Sequence, residues 1–158
     1  MKALSVKEIE LELKERTPKE LLALCLRLSK FKKENKELIT YLVFESVDEQ
    51  AYINDIKQEM DELFGLINTK TTYYIKKSVR KILRRVKTYI RYSKITETEI
   101  ELLIYFCQKM KTLNPSIKRS VVLSNIHNRE LITINKKVAS LHEDLQFDYN
   151  VVLNKLQL

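Results

Sequence analysis

Residues 63 to 96 of this 158-residue chain carry ten cations and no carboxylate, the strongest hint of chemistry in the sequence. The cations are Lys70, Lys76, Lys77, Arg80, Lys81, Arg84, Arg85, Lys87, Arg91 and Lys94. The other 19 of the 29 basic residues nearly balance the 21 acids, so the formal charge of +8 belongs to this one segment. At about 100° per residue, the cations from Lys76 to Arg91 fall within roughly half the circumference of a helix. Ile75, Val79, Ile82, Leu83, Val86, Tyr89 and Ile90 make up the other half. Such a helix packs on its apolar side and presents charge on the other. Like charges at i,i+4, as in Arg80/Arg84 and Lys87/Arg91, each disfavour the helix by a few tenths of a kcal/mol, so something must compensate.

Two compensations compete. Asp55, Glu59, Asp61 and Glu62 precede the basic segment and would face part of it in an antiparallel hairpin. Alternatively an anionic partner supplies the charge, an acidic protein surface in the preferred reading. The binding residues are then Lys76, Lys77, Arg80, Lys81, Arg84, Arg85, Lys87 and Arg91, with Tyr73 and Tyr92 beside them. Nucleic acid is the alternative partner, since a rigid Lys/Arg stripe releases counterions from phosphates and tyrosines beside arginines stack on bases. Tyr89 lies on the apolar side and reads as core. No recognised nucleic-acid-binding motif is present, and an anionic membrane surface fits less well because the apolar half is committed to the core.

Other chemistry is sparse. His127 and His142 belong to no metal-binding or catalytic pattern and read as surface histidines. Cys25 and Cys107 sit among aliphatic residues and read as buried free thiols. A single glycine, Gly65, rules out the glycine-rich phosphate loops. The expectation is a non-catalytic protein without metal or cofactor; an enzyme of unknown class is the remaining alternative.

The elements that must position the basic stripe are helices. One glycine and two prolines leave little for tight hairpins, while Leu, Lys and Glu favour helix. Ser5/Glu8, Thr17/Glu20 and Thr96/Glu99 have the spacing of capping boxes. Asp48 and Thr71 or Thr72 are simpler caps, and Asn114-Pro115 marks another start. Helices are predicted at about 5–15, 18–33, 35–47, 49–69, 71–93, 97–112, 116–126, 128–146 and 148–157. The first equally suits a strand by alternation, but no partner strand is evident. Apolar residues from Leu131 to Leu156 recur every three or four positions, which suits packing within the domain better than a coiled coil.

The short links predict an all-α fold, an antiparallel bundle or short α-solenoid of about seven to nine helices. Residues 17–44 share 7 identities with the segment 79 positions later, an offset that would fit stacked units resembling HEAT or armadillo arrays in architecture alone. Two capped amphipathic helices would look equally alike. The chain is predicted to be one helical domain over 1–158. No apolar run reaches the ~20 residues of a membrane span, and acids crowd the first fifteen positions, so a cytoplasmic protein is expected.

Overall fold

Side-chain oxygens open most of the helices in the computed structural model, which describes residues 2–158. Ser5 and Thr17 form two of the three predicted capping boxes, and Asp48, Thr71 and Ser120 accept from amides three residues ahead. The helices are α1 (Val6–Lys14), α2 (Pro18–Phe31), α3 (Lys33–Val43), α4 (Glu49–Gly65), α5 (Thr72–Ser93), α6 (Thr96–Lys111), α7 (Val121–Val138) and α8 (Glu143–Leu156). Short 3-10 segments occupy Glu45–Val47 and Ile117–Arg119. The chain is all-helical, with no strand among the described residues, and α1 is a helix as its capping box requires.

Two compact units divide the chain, Met1–Phe44 and Glu45–Leu158. In the first, α2 and α3 form a hairpin tied by Asn35 Nδ2 donating to the Leu28 carbonyl at 2.9 Å. Neither α1 nor α2 has a buried side chain.

The second unit is built around α6. Its segment Ile100 to Cys107 is apolar on nearly every side, which requires neighbours all round. Ile100, Leu102, Leu103, Phe106, Cys107 and Met110 are each 1% exposed or less. Phe106 packs on Phe64 of α4, with ring centroids 5.7 Å apart.

Polar contacts fix the directions of the helices. Glu49 with Ser93, Tyr52 with Tyr89 and Glu59 with Arg85 run in opposite senses along α4 and α5, which are therefore antiparallel. Glu49 with Thr98, Lys57 with Glu101 and Asp61 with Lys109 advance together, so α4 and α6 are parallel. Glu99 with Lys137 joins the start of α6 to the end of α7, an antiparallel pair.

Several helix boundaries differ from expectation, among them the break predicted at 147, which α8 spans without interruption. Thr96 does not cap α6; it is the first helical residue, after Ile95. Lys94 adopts the left-handed conformation at φ 58°, which turns the chain from α5 into α6 and brings Thr96 into the first turn. The start expected at Asn114-Pro115 gives only the 3-10 segment, and α7 begins under Ser120. The break predicted near 127 is absent, because Ile126, His127, Glu130 and Leu131 continue one buried face. The chain turns instead at 139–142, where His142 Nδ1 accepts from the Asp144 amide and starts α8 with Glu143 and Asp144 in its first turn.

Candidate anion-binding surface

The basic stripe lies on the outward side of α5 as the periodicity predicts. Thr71 caps the helix, and Ile75, Val79, Ile82, Leu83, Val86 and Ile90 are buried against the second unit. Tyr52 Oη donates to the Tyr89 carbonyl at 3.2 Å and holds α4 against the last turns.

Carboxylates from neighbouring helices reach only the edges of the stripe. With Lys76 taken as zero, Lys87 projects at about 20°, Arg80, Arg91, Arg84 and Lys77 between about 40° and 100°, Lys81 at about 140° and Arg85 at about 180°. At the far edge Arg85 Nε pairs with Glu59 of α4 and stacks its guanidinium 5.0 Å from the centre of the Tyr89 ring. The second Glu59 oxygen accepts from Tyr89 Oη at 2.5 Å, so that one carboxylate serves both groups. At the near edge Lys87 Nζ lies 2.8 Å from Glu130 Oε2 of α7. Among the described residues, none of Lys76, Lys77, Arg80, Lys81, Arg84 and Arg91 pairs with a carboxylate. Arg91 donates to Thr88 Oγ1 one turn back at 3.1 Å.

Of the four acids of α4 that could have neutralised the stripe, Glu59 alone does so. Asp61 turns to α6, accepting from Tyr105 Oη at 2.7 Å and pairing with Lys109 at 2.9 Å. The hydrogen bond from Lys109, then that from Tyr105, holds its carboxyl below the usual range. Asp55 and Glu62 are exposed.

The centre of the stripe borders a groove of 650 Å³ between α5, α6 and α7. Arg80, Arg84, Lys87 and Arg91 form one wall, Arg129 and Thr133 of α7 the other, and Leu83, Ile90 and Leu103 contribute apolar surface to the floor. Glu99 also lines it but is occupied by Lys137 at 2.9 Å. Glu130, completely buried, takes up Lys87 and lies 3.5 Å from Arg129. Arg80, Arg84 and Arg91 remain unneutralised along roughly 16 Å of helix, from eleven residues at about 1.5 Å each.

The tyrosines do not join them. Tyr92 is 8% exposed and belongs to the core, so it offers no face to a ligand. Tyr73 is exposed in the first turn of α5, edge-on to Tyr74 with centroids 5.5 Å apart, and does not line the groove. The sequence reading missed Arg129, Glu99 and Glu130, because nothing in their local sequence points to α5.

Two buried or exposed assignments also change. His127 is fully buried rather than at the surface, and burial lowers its pKa below 6.5 against the opposing effect of the Asn128 side chain. Cys25 is exposed, whereas Cys107 is buried as expected and its thiol is pushed up to about 12, by burial first and then by the charge of Glu130. Among the described residues no group of three His, Cys, Asp or Glu is placed to hold a metal, and no helix is long and apolar enough to cross a membrane. No protein family, curated protein or solved structure matches the chain.

Proposed function

We propose that the chain is a non-catalytic helical interaction domain whose α5 groove receives an acidic segment of a partner protein. The observation that carries this reading is the position of Arg80, Arg84 and Arg91. They lack carboxylate partners and stand beside a groove with apolar floor residues. An acidic amphipathic helix matches both features, seating apolar residues along Leu83 and Ile90 and its carboxylates on the arginines and Arg129. Arginine suits this role because its planar fork meets a carboxylate with two parallel hydrogen bonds. Nucleic-acid phosphates share the electrostatic requirement, but no aromatic ring lines the groove to stack on bases.

The test is fluorescence anisotropy with three probes: an acidic amphipathic helical peptide, an equally charged peptide without apolar residues, and a DNA duplex. The amphipathic peptide is expected to bind most tightly. Arg80→Glu/Arg84→Glu/Arg91→Glu should weaken it at least about tenfold, corresponding to about 1.4 kcal/mol. Tighter binding of the duplex, falling steeply with salt, would replace this reading with the nucleic-acid one. Absence of salt-sensitive binding to any probe would remove both.

A further inference from the structure

Glu130 of α7 does not line the basic groove but lies beneath it, fully buried, and Lys87 reaches down to it from the α5 wall. Lys87 Nζ is 2.9 Å from one carboxylate oxygen and 2.8 Å from the other, so both are committed to the same ammonium. A lysine held in this way does not exchange its carboxylate for one on an occupant. Glu130 would be left charged and enclosed without a counter-ion, a far larger loss than a surface ion pair returns.

That commitment changes the pattern the groove offers. Arg80, Arg84, Lys87 and Arg91 follow one another at steps of four, three and four residues, the continuous ladder of one helix face. With Lys87 withdrawn, the α5 wall offers Arg80 and Arg84 about 6 Å apart and then Arg91 about 10 Å further on. Leu83 and Ile90, seven residues apart, contribute apolar surface over the same stretch. A partner helix lying along α5 rises by the same amount per residue, so its side chains follow this spacing. An extended chain does not: about three residues cover the 10 Å gap, and an odd number turns the next side chain to the other face.

We propose that Glu130 is the specificity-determining residue of the groove, withdrawing Lys87 so that a docked acidic helix is read at three positions along α5 and not at the fourth. This rests on the reading of the groove as a docking site for such a helix, and adds which of the partner's acids count. For a helix running parallel to α5 they stand at i, i+4 and i+11; for an antiparallel one, at i, i+7 and i+11. An acid facing Lys87 meets an ammonium that is already paired, above a second negative charge. Arg129, 3.5 Å from Glu130, stands on the α7 wall and serves the other edge of the occupant.

The test starts from an amphipathic helical peptide with Glu at i, i+4, i+7 and i+11, a ladder that reads alike in both directions, and replaces each inner Glu by Gln in turn. With the wild-type chain, anisotropy should show one replacement changing affinity by less than about twofold and the other weakening it by at least about fivefold. Which of the two is silent gives the direction of the bound helix. In Glu130→Gln, Lys87 is released, and both replacements should weaken binding by similar factors. Lys87→Met/Glu130→Leu removes the two charges together and should bring the asymmetry back. Equal effects of the two replacements on the wild-type chain overturn the proposal, and so does an asymmetry that persists unchanged in Glu130→Gln; tight binding of the full ladder in either case leaves the docking reading standing. A full ladder that does not bind the wild-type chain overturns both. Should Glu130→Gln fail to fold, the wild-type comparison and the double variant decide.

Discussion

Lys87 Nζ lies 2.8 Å from Glu130 Oε2, joining a lysine that is 46% exposed to a glutamate that is fully buried. One residue of the outward stripe is thereby spent on a carboxylate beneath the surface, and Arg129 approaches the same group at 3.5 Å. Removing one partner of a buried pair leaves a charge without compensation, which costs about 3–5 kcal/mol when both are enclosed. Solvent at the lysine and the nearby Arg129 reduce that figure. Lys87→Ala should therefore destabilise the chain by about 1–3 kcal/mol in urea unfolding. Lys87→Met/Glu130→Leu should recover most of the loss, and a fully additive double-mutant cycle would show that the two residues are not coupled.

Arg85 and Arg80 should respond in opposite ways to the same change. Arg85 faces Glu59, so Arg85→Glu sets two carboxylates together and strips Tyr89 of its guanidinium, at a cost of about 1–2 kcal/mol. Arg80 has no acidic partner and repels Arg84 one turn on. Arg80→Glu should change stability by less than about 0.5 kcal/mol, with a gain the expected sign. Thermal unfolding of the two single variants at low ionic strength separates them; equal losses would mean that Arg80 is internally paired after all.

His127 should make the fold sensitive to mild acid. Burial lowers its folded pKa from 6.5, outweighing the opposing effect of the Asn128 side chain, and the positive charge of Lys111 adds to the lowering. The unfolded chain therefore binds more protons between the two values, and stability must rise with pH there. The contribution is complete above about 6.5 and is lost as pH falls toward the folded value. His127→Leu fills similar volume without a titratable ring, so its stability should be flatter between about pH 7 and 5. Parallel pH profiles for variant and wild type would exclude His127 as the source.

Lys94 ends α5 in the left-handed conformation, at φ 58°. A side chain there costs roughly 1–2 kcal/mol relative to glycine, offset in part by glycine's greater freedom in the unfolded chain. Lys94→Gly should raise the unfolding free energy by about 0.5–1 kcal/mol. Lys94→Val, branched at Cβ, should lower it. A stabilised valine variant would mean that the α5–α6 turn is not held as described.

The all-helical fold, the first two capping boxes and the apolar half of α5 were legible because each rests on neighbours within a few positions in the sequence. Local hydrogen bonding and a 3.6-residue repeat specify such features without reference to the rest of the chain. The errors arose where local signals tied. Thr96 has a capping-box spacing, but the left-handed Lys94 sets the entry into α6, and His127 looks polar on its own while continuing the buried face of α7. The fate of the basic stripe was not legible. Its charge could be read from residues 63 to 96, but whether Asp61 or Glu59 would neutralise it depended on which way each carboxylate turned between α5 and α6. Arg129 reaches the groove from α7, and the buried Glu130 reaches Lys87 from 43 positions further along. Ion pairs of this kind depend on approach within about 4 Å, a distance that only the packing of α4, α6 and α7 around α5 could set.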